Sequence, residues 1–220
     1  ELDYLGGALA EPKKPFVAVM GGAKVSGKID VIENLLPKVD ALLIGGGMAY
    51  TFFKVMGIEI GKSLLEDDRM VVAEDVLKRA EDVGVQIELP VDAVVAENLG
   101  NDVATSVVSR NGIPTDQEAA DIGPSTASLF GEVIESAGTV IWNGPMGVFE
   151  MPPFDLGTQA VAEAIADGNS ISIIGGGDSA AAIAQLGYAD KVSHVSTGGG
   201  ASLAMLEGRP FAAVEVLDDA

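Results

Sequence analysis

The chain has no cysteine, only one histidine and few basic residues. Without cysteine, disulfides and thiolate metal sites are excluded, and so is a Cys–His nucleophile. His194 lies in an apolar stretch, so we interpret it as structural rather than catalytic. No apolar run approaches the roughly 20 residues that a membrane-spanning helix needs, and no basic-then-apolar signal segment opens the sequence. We therefore expect a cytoplasmic protein that does not bind membranes.

Positive charge is scarce, because 13 lysines and arginines stand against 33 aspartates and glutamates, for a formal net charge of −20. A surface this acidic repels nucleic acid, so we expect no such partner. The acidic residues are spread along the chain and 48% of residues are apolar, which favours a folded domain over acidic disorder. We interpret the charge as an adaptation to high salt, which screens self-repulsion, and predict a halophilic source.

Short apolar runs alternate with segments of helical periodicity. Strands are predicted at Phe16–Met20, Ala41–Ile44, Val91–Ala96, Thr139–Trp142, Ser170–Ile174 and Val192–Val195. Helices are predicted at Arg69–Val83, Ser125–Ala137 and Asp155–Ala166, the second capped by Ser125. This alternation predicts an α/β, Rossmann-like three-layer domain with a mainly parallel central sheet. The polar stretch Asn98–Thr115 is interpreted as a β excursion or a surface loop.

Four glycine-rich stretches each follow an apolar run. They are Gly21-Gly22-Ala23-Lys24, Gly45-Gly46-Gly47, Gly175-Gly176-Gly177-Asp178 and Gly198-Gly199-Gly200. A strand that ends in glycines lets backbone N–H groups approach a ligand, and a following helix N-terminus favours phosphate. Because ligands of parallel sheets bind beyond the carboxyl ends of the strands, the four stretches together predict a nucleotide site.

The third stretch also matches the dinucleotide pattern G-x-G-x-x-A, but the strand that would follow it ends without the required acidic residue. Asp178 would repel a pyrophosphate unless a cation intervened, so we favour a Mg²⁺-nucleotide site, with a helix N-cap as the simpler alternative. Gly61-Lys62-Ser63 is not a P-loop, because Met56 stands where the pattern requires glycine.

Two lysines stand close to the first glycine stretch in a chain that is poor in lysine. Lys24 and Lys28 share one face if their segment is helical, and two cations there could neutralise phosphate charge. A solvated helix face is the alternative. Asn143 could bind a ligand or form a turn, and Glu150 could accept hydrogen bonds from ribose hydroxyls or be solvated.

Six motifs, in this order, resemble the phosphoglycerate kinase family over essentially the whole chain. They are Gly21–Val25, Gly45–Ala49, Trp142–Pro145, Gly147–Glu150, Gly175–Asp178 and Val192–Ser202. The resemblance is to the C-terminal, nucleotide-binding half of that family and implies Mg²⁺ with ADP or ATP as ligands. Gly27, Ala120 and Ser179 differ from the usual family residues, which are an acid, leucine and threonine.

The resemblance implies a role for each matched residue. Gly22, Ala23, Gly46, Gly47 and Val148 would belong to the nucleotide site, the first three lining the adenine slot. Lys24, Lys28 and Asn143 would lie by the phosphates, and Glu150 by the ribose. Asp178 would hold Mg²⁺ with Ser179 beside it, within the Gly175, Gly176 and Gly177 loop. Lys28, Gly198 and Gly199 would be catalytic, stabilising the transferring phosphoryl group.

The resemblance also implies a domain organisation. Residues 1–14 would be part of an interdomain helix and linker, residues 15–220 the nucleotide-binding domain, and the N-terminal substrate domain would be missing. The full enzyme would transfer phosphoryl between 1,3-bisphosphoglycerate and ADP, giving 3-phosphoglycerate and ATP, as a monomer from a halophilic archaeon. A stand-alone, non-catalytic nucleotide-binding module and an acidic interaction protein with purely structural glycines remain alternatives.

Overall fold

The fold is described from a computed structural model, which describes residues 11–196 and 206–208. Gly198, Gly199 and residues 1–10 of the predicted interdomain helix and linker lie outside the described residues. The strands are β1 Phe16–Met20, β2 Ala41–Ile44, β3 Gln86–Glu88, β4 Asp92–Ala96, β5 Ser106–Ser109, β6 Glu118–Ile122, β7 Thr139–Asn143, β8 Ile171–Gly175 and β9 His194–Val195. The helices are α1 Ile29–Leu35, α2 Ala49–Val55, α3 Met70–Val83, α4 Pro124–Glu135, α5 Leu156–Asp167 and α6 Gly177–Gln185.

A six-stranded sheet in the order β3-β2-β1-β7-β8-β9 forms the centre of the domain, and each strand pairs in parallel with its neighbours. The chain builds β1, β2 and β3 in one direction and then returns to the other side of β1 with β7, β8 and β9. The strand order therefore reverses between β1 and β7, and a crevice opens at such a switch point beyond the carboxyl ends of the strands.

Alternate side chains of β1 divide the hydrophobic core between the two faces of the sheet. Phe16, Ala18 and Met20 pack in one cluster with α1, α2 and α3. Val17 and Val19 pack on the other face in a cluster with α4, α5 and α6. Helices cover both faces, so the predicted three-layer α/β fold with a parallel central sheet is confirmed.

A second, three-stranded antiparallel sheet in the order β5-β4-β6 stands apart from the central sheet. The prediction that Val91–Ala96 belongs to the parallel sheet is therefore wrong, although most of it is the strand β4. All five residues of β4 are buried, and a run of buried apolar residues does not reveal which sheet it joins. β5 lies within Asn98–Thr115, where a β excursion was one expectation, and β6 was not predicted.

The predicted cap of α4 is also wrong. The N-cap position is Gly123 rather than Ser125, and Pro124 occupies the first turn. The Asp92 carboxylate of β4 accepts hydrogen bonds from the Ser125 amide at 2.9 Å and the Thr126 amide at 2.8 Å. The free N–H groups of the first turn are thus satisfied from a neighbouring strand. Within the described ranges, no helix is long and apolar enough to cross a membrane.

Candidate functional site

Three loops meet at the switch point between β1 and β7. The Gly21 amide donates to the Asn143 carbonyl at 3.0 Å, and the Gly22 amide donates to the Pro145 carbonyl at 2.8 Å. A Cβ at Gly21 would collide with the carbonyl oxygens of Pro145 and Gly144. Only glycine allows the two backbones this approach, which explains the glycines after β1.

The loop after β2 joins the same arrangement. Gly46 has a φ of +66°, a left-handed conformation that favours glycine. A Cβ on it would lie 2.6 Å from the backbone nitrogen and oxygen of Gly22. The Gly46 amide donates to the Met146 carbonyl at 3.0 Å, and the Met48 amide donates to the Gly22 carbonyl at 3.1 Å. The glycine loops after β1 and β2 are therefore locked to the loop after β7.

These loops enclose a cleft of about 290 Å³. Seven residues predicted for the nucleotide site line it: Gly22, Ala23, Gly46, Gly47, Val148, Glu150 and Asp178. Its surface is largely apolar, and the carboxylates of Glu150 and Asp178 are both exposed. A concave, mainly apolar slot with a few polar groups is the usual form of a small-molecule site.

Part of the cleft comes from residues that the sequence did not single out by pattern. Ala119 and Ala120 of β6 line one wall, and Leu64 and Leu99 contribute from loops. The resemblance had placed Ala120 near the base, but no periodicity predicted β6 itself. These residues reach the cleft only through the tertiary fold, so no local signal could have found all of them.

A polar cluster lies where β7, the start of α1 and the start of α6 meet, and its members are Lys28, Asn143 and Asp178. The Lys28 ammonium donates a hydrogen bond to Asn143 Oδ1. Burial lowers the pKa of Lys28, and the charge of Asp178 opposes that shift. The structure thus brings together Lys28 and Asn143, which are 115 residues apart and were both predicted to lie by the phosphates. Asp178, the predicted Mg²⁺ ligand, is close enough for its charge to act on Lys28.

Asn143 is the last residue of β7 and its side chain is only 1% exposed. Its amide nitrogen Nδ2 has no hydrogen-bond partner among the described residues. Positions where Gly175 and Gly176 would carry a Cβ lie 3.3 Å from that nitrogen. A buried donor without a partner is costly, and a bound acceptor would satisfy it.

The N-terminus of α6 stands beside Asn143. Gly176 is its N-cap, with a φ of +88°, and Gly177, Asp178 and Ser179 form the first turn. Asp178 is therefore not the N-cap that had been the simpler alternative. The buried Ser179 hydroxyl accepts a hydrogen bond from the Gly144 amide at 2.6 Å, so it also holds the loop after β7 in place.

Lys24 and Lys28 do not share a helix face, because their segment is not helical and the condition for that arrangement is not met. Lys28 is the N-cap of α1, and the residues before it form a turn closed by the hydrogen bond from the Lys28 amide to the Val25 carbonyl, at 2.8 Å. Gly27 disfavours a helix at this point. Lys24 is exposed, whereas Lys28 is partly buried and faces Asn143.

Asp178 is the carboxylate that the sequence predicted as a Mg²⁺ ligand. No group of three or more His, Asp or Glu side chains in the part of the chain that the structure describes could hold a metal ion by itself. A Mg²⁺ ion bound with a nucleotide usually takes one or two carboxylates together with phosphate oxygens. A single exposed carboxylate beside an anion-binding helix end fits such an ion.

Asp121 is a buried carboxylate beneath the cleft wall, with 1% exposure. It accepts hydrogen bonds from the Gly157 amide at 2.7 Å and the Ile122 amide at 2.9 Å. Burial raises its pKa to about 7, the two amides oppose the shift, and the Asp155 charge adds to it. A Cβ on Gly147 would collide with the Asp121 carboxylate, so the cleft wall packs directly on this group.

The comparisons with known proteins agree with this architecture. A family model described as phosphoglycerate kinase matches residues 1–209. The chain belongs to the phosphoglycerate kinase family. A phosphoglycerate kinase of Rhodopirellula baltica is 58% identical over the whole chain, and one of Acidobacterium capsulatum is 56% identical. The chain spans about half the length of these curated relatives, 55% in both cases.

Solved structures of phosphoglycerate kinases superimpose on the chain in the same way. The Coxiella burnetii structure has a TM-score of 0.95 at 43% identity and covers 97% of this chain. The Pyrococcus horikoshii structure has a TM-score of 0.83 at 30% identity. The chain covers 55% and 54% of these two structures. The comparisons lend no support to the halophilic archaeal source predicted from the charge.

Proposed function

We propose that this chain is the C-terminal, nucleotide-binding half of a phosphoglycerate kinase and that it binds ADP or ATP with Mg²⁺ in the cleft beside β1 and β7. The observation that carries the proposal is the position of that cleft. An apolar slot at the switch point of the sheet runs up to the N-terminus of α6 and to the Lys28, Asn143 and Asp178 cluster.

The adenine base would occupy the apolar slot. Gly22, Ala23, Gly46, Ala120 and Val148 all line this slot. Small residues leave room for a flat ring, and their apolar surface favours its burial. Glu150 lines the slot and is exposed, so its carboxylate could accept hydrogen bonds from the ribose hydroxyls.

The phosphates would lie between the N-terminus of α6 and the Lys28 ammonium. Free N–H groups of the first turn of α6 and the positive end of its dipole favour an anion. The unpartnered Nδ2 of Asn143 offers a further donor. Lys28 would follow the transferring phosphoryl group, and the partly buried position of its ammonium strengthens its electrostatic effect.

Mg²⁺ would enter as part of the nucleotide substrate rather than as a resident metal. Asp178 would supply the carboxylate, and phosphate oxygens and water would supply the other ligands. The ion would neutralise phosphate charge next to an acidic residue that otherwise repels it.

Phosphoryl transfer by the whole protein would be reversible, from 1,3-bisphosphoglycerate to ADP. Such transfer depends on positioning and charge stabilisation, and both substrates must meet in line. The half of the relatives that this chain does not span would bind 3-phosphoglycerate or 1,3-bisphosphoglycerate. We expect the 220-residue chain alone to bind nucleotide with negligible turnover and to be a monomer.

The location of the nucleotide can be tested by NMR titration of the ¹⁵N-labelled chain. Adenosine should shift amide resonances of the slot, such as those of Gly22, Gly46 and Val148. ADP should shift the same resonances and also those of Gly177 and Asp178, because only ADP carries the phosphates.

A steric block provides the matched comparison for this titration. Ala120→Phe fills the slot and should abolish the shifts, whereas Val107→Phe on the exposed edge strand β5 should leave them unchanged. Shifts confined to another surface, such as the groove of about 460 Å³ lined by Glu97 and Thr105, would contradict the proposed site.

A further inference from the structure

The turn that carries Lys24 and Lys28 is held by a glutamate from a different part of the chain. Glu66 accepts a hydrogen bond from the Ser26 amide on Oε2 at 3.1 Å and another from the Ser26 hydroxyl on Oε1 at 2.5 Å. Both oxygens of one carboxylate therefore bind one residue of the turn. Ser26 lies two residues from each lysine, so this contact constrains both.

Glu66 is itself held on the other side. Its amide donates to the Thr51 hydroxyl of α2 at 3.3 Å, and Thr51 is 1% exposed. Partial burial alone would raise the pKa of Glu66, but hydrogen bonds from Ser26 and Val25 and the charge of Lys24 outweigh burial and lower it. Glu66 is thus a charged acceptor fixed to a buried helix.

The turn needs such support because its own structure is weak. Gly27 lies within it, and no neighbouring atom would contact a Cβ there. Glycine leaves a turn with high conformational entropy. Val25 is buried and Lys28 caps α1, so the exposed middle of the turn has Glu66 as its external hydrogen-bond partner.

We propose that Glu66 is a positioning residue for phosphate binding, and that its carboxylate holds the Val25–Lys28 turn so that Lys28 faces Asn143 and Asp178 before a nucleotide arrives. This inference rests on the proposed nucleotide site. Glu66 binds no phosphate itself. It lowers the entropic cost of ordering the lysines, which is the usual gain from preorganisation.

The inference predicts a difference between two ligands. The turn carries lysines for the phosphates and takes no part in the base slot. Loss of Glu66 should therefore weaken the binding of ADP and leave the binding of adenosine unchanged. A general loss of structure would instead weaken both. Comparing the two affinities therefore separates a positioning role from a purely structural one.

The experiment uses the 220-residue chain and calorimetry of ADP and adenosine binding. In Glu66→Ala, we expect ADP affinity to fall roughly fivefold to tenfold and adenosine affinity to stay within about twofold. In Ser26→Ala, ADP affinity should fall less than in Glu66→Ala, because the Ser26 amide still donates a hydrogen bond to Glu66. The ADP affinity of Glu66→Gln should lie between those of wild type and Glu66→Ala, because a carboxamide offers one acceptor oxygen instead of two.

A matched control and a ligand-free readout complete the experiment. Glu59→Ala removes a surface glutamate whose side chain is 77% exposed and pairs with Lys54, and it should leave both affinities unchanged. Hydrogen exchange of the Ser26 amide should accelerate in Glu66→Ala without nucleotide.

Two outcomes overturn the inference alone: equal ADP affinity of Glu66→Ala and wild type, or equal loss of ADP and adenosine affinity. A folded wild type that binds no ADP overturns the proposed site as well, so the two failures are distinguishable. If Glu66→Ala does not fold, the same comparison is decided by Glu66→Gln and Ser26→Ala.

Discussion

Asp121→Asn should change the pH dependence of stability by an amount that the structure defines. The Asp121 carboxylate is buried, and its pKa is raised from the ordinary value of 3.8 to about 7. Because the folded state favours the protonated form, this group stabilises the fold most at low pH. The free energy of unfolding falls as pH rises from about 4 to 7 and is constant above that range.

The shift from 3.8 to about 7 corresponds to roughly 4 kcal/mol at about 1.36 kcal/mol for each pKa unit. Between pH 5 and pH 8, about 2–3 kcal/mol of this change remains observable. Asparagine does not ionise, so Asp121→Asn removes the titration while its own packing cost stays the same at each pH. As the pH rises from 5 to 8, the free energy of unfolding of Asp121→Asn should therefore increase by that amount relative to wild type.

Urea unfolding of both proteins at several pH values measures the difference directly. Other titrating groups are common to the two proteins and cancel in the comparison. A stability difference that does not vary with pH would refute the reasoning, because it would mean that Asp121 is ionised throughout and that the amides of Gly157 and Ile122 outweigh its burial.

Further predictions concern two residues with defined partners, Asp92 and Lys28. Asp92→Ala leaves the Ser125 and Thr126 amides without their acceptor and should lower the free energy of unfolding by about 2–4 kcal/mol, as measured by urea denaturation. Burial would raise the pKa of Asp92, but hydrogen bonds donated by Thr126 and Ser125 outweigh burial and lower it. The free energy of unfolding of Asp92→Asn should therefore be lower than that of wild type by an amount that stays constant from pH 5 to 8 and shrinks only in acid. Lys28→Met removes the cation beside Asn143 and should lower the ADP affinity measured by calorimetry roughly tenfold, without changing the adenosine affinity. Equal ADP affinity of the variant and wild type would contradict a phosphate role for Lys28.

Five strands of the parallel sheet could be predicted from local sequence, because they are short runs rich in buried, β-branched and aliphatic residues. β3 was missed, because Gln86–Glu88 has only three residues and one strong β-former. β1 and β2 have the predicted bounds. β6 escaped prediction because Glu118-Ala-Ala-Asp-Ile contains only one strong β-former. The sheet to which β4 belongs depends on long-range pairing with β5 and β6, which local hydrophobicity does not encode.

The glycine loops of the candidate site could be predicted because glycine is required where backbones approach closely, as at Gly21 and Gly46. The contributions of Leu64 and Leu99 to the cleft could not be predicted, because these residues reach it through loops. The Glu66 contact with Ser26 spans 40 residues and has no sequence signal. Lys24 and Lys28 do not lie on a shared helix face, because Gly27 favours a turn over a helix there.

The central claim is that Mg²⁺-nucleotide binds in this cleft with Asp178 as the carboxylate ligand. The most direct measurement is calorimetry of ADP binding, with and without Mg²⁺, in molar KCl. It would compare wild type, Asp178→Ala and the exposed helix control Asp75→Ala. We predict that Mg²⁺ strengthens ADP binding in wild type and Asp75→Ala but not in Asp178→Ala. No ADP binding by folded wild type, or an unchanged Mg²⁺ dependence in Asp178→Ala, would contradict the account.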